Sequence, residues 1–174
     1  MTHNTAFIDW RRSRAFGLDF FCPLAGVEIN LRGRQVAGVV DMRDYEPLRQ
    51  EILERLAAIR DPEHQAPVFA RVCLREDLFH GPHLDRFPDV IGVLADDYDV
   101  KTHLDLPVVG PNRGQWDYPY MGYHGLDAFF AVRGPRIRPG STDEASHMID
   151  LAPTLLSLAG VDRPAFMEGR PFEL

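Results

Sequence analysis

The sequence predicts an α/β protein. Two runs, 90–94 (Val-Ile-Gly-Val-Leu) and 128–132 (Ala-Phe-Phe-Ala-Val), are apolar or small at every position. A segment between strand-like stretches carries Leu48, Ile52, Leu53, Leu56 and Ile59 at helical spacing, and a second apolar helix is expected near the C-terminus. A strand buried on one face alternates apolar and polar residues, whereas one covered on both faces is apolar throughout. Both runs are therefore expected as central strands of a sheet flanked by helices.

Residues 1–4 read as a frayed end, and residues 7–21 are rich in aromatics without a clean period. Residues 27–31 (Val-Glu-Ile-Asn-Leu) alternate, which predicts a strand. Arg32-Gly33-Arg34-Gln35 reads as a turn, and Val36, Val39 and Val40 are expected in a return strand. Asp44 is placed to cap the first helix, with Pro47 in its first turn and Asp61-Pro62 ending it. Residues 67–74 form a further β-type run. Residues 107–123 form a long loop of Gly, Pro and aromatics, a length that in a compact domain is usually functional or disordered. The last helix is expected to start at Asp150, with Pro153 in its first turn and Gly160 as its C-terminal stop.

The net charge of -7 argues against a nucleic-acid polymer as partner, because such proteins need a basic footprint. Positive charge is nearly all arginine, Lys101 being the one lysine. Cys22 and Cys73 are too few for a disulfide framework, and no apolar run reaches the ~20 residues of a membrane helix. The N-terminal stretch lacks a signal-peptide core. A cytoplasmic protein without a membrane segment is the expectation.

Few residues suggest chemistry. His80-Gly81-Pro82-His83 with Asp85 has a spacing that a metal site can use, but the Gly-Pro turn need not bring the rings together. Asp96, Asp97 and Asp99 lack the Gly and Glu of a calcium loop and read as a solvated turn. Ser13, Ser141, Thr142 and Ser157 stand in no nucleophile elbow. His124 ends the long loop just before an expected strand, where ligands gather in α/β proteins. Arg113, Trp116 and Tyr123 lie in or at the end of that loop, where aromatic rings and a guanidinium either hold a flat group by stacking or pack the loop onto the domain.

The order of segments is more informative than any one of them. Ile8-Asp9-Trp10-Arg11-Arg12-Ser13-Arg14-Ala15-Phe16 is followed by Ile29-Asn30-Leu31-Arg32-Gly33-Arg34. Arg75-Glu76-Asp77-Leu78-Phe79-His80-Gly81-Pro82, Phe87-Pro88-Asp89-Val90 and Gly122-Tyr123-His124-Gly125-Leu126-Asp127 come next. Gly134-Pro135, Ile149-Asp150-Leu151-Ala152-Pro153-Thr154-Leu155-Leu156 and Met167-Glu168-Gly169-Arg170 close the series. Over nearly its whole length the chain resembles the C-terminal part of alkaline phosphatase superfamily enzymes. It is most similar to the type I phosphodiesterase/nucleotide pyrophosphatase and phosphomutase-like branch.

The resemblance implies that residues 1–174 are the C-terminal part of an alkaline-phosphatase-like sandwich, a mixed sheet flanked by helices. It implies metal-assisted phosphoryl transfer on a phosphate-ester small molecule, with two divalent ions, commonly zinc. His124 matches a metal-ligating histidine of the family; Asp127, three residues on, reads either as the acceptor that orients its ring or as an ordinary surface or turn aspartate. The family's nucleophile and Asp-His-Gly motif have no counterpart in this sequence. The expectation is a hydrolase segment inactive alone, completed by a missing N-terminal half or subunit. The alternative is a non-catalytic remnant acting as a binding or interaction module.

Overall fold

The computed structural model describes residues 8–19, 23–96, 98–100, 107–111, 127–135, 137–140 and 147–172. The chain divides into two units, Met1–Asp127 and Ala128–Leu174. The fold is mixed α/β, with four strands and two α-helices among the described residues.

In the first unit the strands are β1 (Ala15–Asp19), β2 (Leu24–Ile29), β3 (Phe69–Leu74) and β4 (Val90–Leu94), with helix α1 (Met42–Ala57) between β2 and β3. The sheet order is β1-β2-β4-β3, and each pairing is antiparallel. The expected mixed sheet is thus antiparallel throughout its described strands. Because β2 and β3 both oppose β4, they run in the same direction, and α1 connects them across the strand inserted between them. This is a split βαβ arrangement.

β4 occupies the centre, as its uniform apolarity predicts, and all five of its residues are buried. The Phe69 ring from β3 packs where a Cβ on Gly92 would stand, so any larger residue there must displace that ring. Beside α1, Ile29, Leu31, Val40 and Leu48 form a buried cluster, joined by Ala15, Val39, Tyr45 and Ile52. Burying each such aliphatic side chain stabilises the fold by ~1.5–3 kcal/mol.

Several boundaries differ from expectation. β2 begins at Leu24 and ends at Ile29, and β1 lies in the aromatic stretch that shows no period. Val36, Val39 and Val40 form no return strand; Val36 is fully exposed, whereas Val40 is buried. The Arg34 and Gln35 N–H groups donate to the Leu31 carbonyl, and those of Val39 and Val40 to the Asn30 carbonyl. The loop thereby satisfies much of its own backbone and needs no strand partner.

Helix α1 begins at Met42, behind Asp41 rather than Asp44. The Asp41 carboxylate does not cap it; it accepts a hydrogen bond from Arg32 at 2.8 Å. Pro47 accordingly falls inside the helix rather than in its first turn, and lacks the N–H that would bond the Arg43 carbonyl. After the helix, Asp61 organises a turn by accepting the N–H groups of Glu63 and His64, both at 2.8 Å.

In the second unit a 3-10 turn, Met148–Asp150, leads into α2 (Leu151–Ala159). Gly160 ends that helix at φ 72°, in the left-handed region and at the position expected. The Asp150 carboxylate reaches back to the His147 N–H at 3.1 Å and out to the Arg170 N–H at 2.7 Å. The Thr154 hydroxyl donates to the Asp150 carbonyl and accepts from the Phe172 N–H. Residues 128–132 contradict the second central-strand expectation. They carry no strand, and Phe129 is 96% exposed. Apolarity records what a segment would bury, but a strand also needs a neighbour to receive its N–H and C=O groups.

Candidate functional site

Asp89 stands immediately before β4, where Ile29 at the end of β2 and Arg75 just after β3 come together. Its side chain is wholly buried. Five hydrogen-bond donors converge on its two carboxylate oxygens: the Ile29 N–H at 2.7 Å, two arms of Arg34, the Tyr45 hydroxyl at 2.5 Å and Arg75 Nη1 at 3.2 Å. The two Arg34 arms make the planar, two-pronged contact for which a guanidinium is shaped. Arg34 also donates to the Ile29 carbonyl at 2.7 Å, and Arg75 to the Phe87 carbonyl at 3.0 Å.

The network continues outward. Arg49 on α1 is nearly buried, pairing with Glu76 and with Glu46 at 3.1 Å. The Tyr45 ring lies within cation–π reach of both Arg34 and Arg49, whose guanidinium carbons are 5.8 and 5.3 Å from its centroid. Gln35 donates to Glu28, which also lies 3.6 Å from Arg34.

Electrostatics follow from these contacts. Burial pushes the Asp89 carboxyl up, but hydrogen bonds from Arg34, Tyr45 and Ile29 outweigh it and hold the group below the usual carboxylate value. Tyr45 is raised by burial and by donating to Asp89. Glu28 is raised chiefly by burial, against the opposing pull of Arg34. The Arg34 guanidinium is held still more firmly protonated than usual by its bond to Asp89.

The cluster has a structural role. A carboxylate offers about four lone-pair sites, and five donors already use those of Asp89. It has no capacity left for a metal or a substrate proton. The guanidinium groups of Arg34, Arg49 and Arg75 face the carboxylates of Glu28, Glu46, Glu76 and Asp89, so no surplus positive charge remains to attract a phosphate. What it does is fasten β2, the following loop, α1 and the segment after β3 to the start of β4.

Asn30 does related work next door. Its side-chain amide nitrogen faces the carbonyls of Trp10, Ser13 and Ala37 at 2.8, 2.9 and 3.1 Å, and the residue is fully buried. Three carbonyls around one nitrogen fix the orientation of the amide.

Of the residues singled out from sequence, His124, Arg113, Trp116 and Tyr123 lie outside the described residues, as does most of the loop 107–123. Asp127 is described and exposed. His80 and His83 are exposed around a turn in which Gly81 has φ 113°. Asp96 is exposed, Asp99 is partly buried, and Asp97 lies outside the described residues. Among the described residues no three His, Cys, Asp or Glu side chains are grouped to hold a metal ion. Likewise, among them no helix is long and apolar enough to cross a membrane.

Sequence reasoning missed the Asp89 cluster as a cluster. Asp89, Arg34 and Arg75 all occur in the ordered segments, but nothing local shows that Arg34 and Asp89, 55 positions apart, form a pair. No family model, curated protein or solved structure matches the chain.

Proposed function

We propose that this chain is the C-terminal segment of a metal-dependent phosphohydrolase of the alkaline phosphatase superfamily, acting on phosphodiester or phosphomonoester small molecules. The observation that carries this reading is the ordered series of segments spanning nearly the whole chain, from Ile8-Asp9-Trp10 to Met167-Glu168-Gly169-Arg170.

In this reading His124 supplies one imidazole nitrogen to a zinc ion, and Asp127 orients the ring through its other nitrogen. Arg113, Trp116 and Tyr123 hold the substrate's leaving group by stacking and charge. When bound, the two ions lower the pKa of a nucleophilic hydroxyl and neutralise charge on the phosphoryl group. The remaining ligands and the nucleophile come from an upstream half. One imidazole does not hold zinc tightly, since sites use three or four protein ligands.

The isolated chain should therefore show no turnover of a chromogenic phosphodiester above background. Turnover that a chelator abolishes would place a complete active site within it and overturn the split reading. In an enzyme assembled with the upstream half, His124→Ala should remove one metal ion and most of the activity, and His83→Ala should cost little. Metal analysis and kinetics on both variants decide the role of His124. Unchanged metal content and rate in His124→Ala would end it.

A further inference from the structure

We draw no further inference here: the strongest candidate, the apolar surface of the C-terminal unit around Leu151 and Leu155 of α2 and the cleft between Ile149 and Phe166, carries nothing because the structure does not show what covers it.

Discussion

At the scale of the residue, Asp89 is the position with the most at stake. Its charge is buried and compensated, and breaking such a pair by removing one partner costs ~3–5 kcal/mol. Arg34→Ala should destabilise the first unit by about that amount, because the carboxylate stays buried while its two-pronged partner is lost. Arg34→Lys should recover only part of it, since an ammonium cannot make the paired contact. Urea unfolding of the three proteins checks both statements. The pH dependence has a definite sign. The folded-state pKa of Asp89 is depressed, so its stabilisation is present above the unfolded value of about 3.9 and is lost as pH falls through the lower folded value. The parent protein should lose stability on acidification below about pH 4. Asp89→Asn, weaker at neutral pH, should lose less over the same interval. Equal acid sensitivity in both would mean that another carboxylate governs the acid limb. Gly92→Ala tests a different kind of constraint. Its added methyl must displace the Phe69 ring from a buried strand, and overpacking of this kind typically costs ~1–3 kcal/mol.

At the scale of the element, the sequence is most readable where burial alone dictates residue type. β4 is legible because a strand covered on both faces has no place for a charge. The same rule misplaces residues 128–132, where Phe129 and Val132 are exposed. β1 is hard to see because it lies at the edge of the described sheet, where incomplete burial does not impose an apolar residue at every position. Helix α1 is plain from its apolar period, yet its start is not, because Asp41 and Asp44 are both able to cap and tertiary contact decides between them. Arg32 takes the Asp41 carboxylate, and the helix starts just behind that residue without a side-chain cap. The Asp89 cluster was illegible for a related reason, since ion pairs between distant segments leave no local pattern. Pro47 is exposed inside α1, where it removes a backbone hydrogen bond. Pro47→Ala should raise the thermal midpoint, with a gain of ~1–2 kcal/mol after allowing for the greater freedom of the unfolded chain. A lowered midpoint would show that the ring makes packing contacts worth more than the missing bond.

At the scale of the whole molecule, the strand order sets how the first unit must assemble. Among the described strands β4 is last in sequence and lies between β2 and β3, so those two have no hydrogen-bonded link to each other without it. Ile91→Val, which trims a buried methylene from β4, should cost ~1 kcal/mol. Most of that loss should appear as slower folding if β4 already joins the halves of the sheet in the transition state. If the substitution instead accelerates unfolding alone, β4 docks after the rate-limiting step. The same order matters while the chain is being made. As residues emerge from the ribosome, β2 and β3 are complete long before Leu94 appears. In that interval their inward-facing edges are unpaired, and the slot they must leave is two inter-strand spacings wide, about 10 Å. Unpaired edges recruit foreign strands. The nascent chain is therefore open to mispairing between the emergence of Leu74 and that of Leu94 from the ribosome.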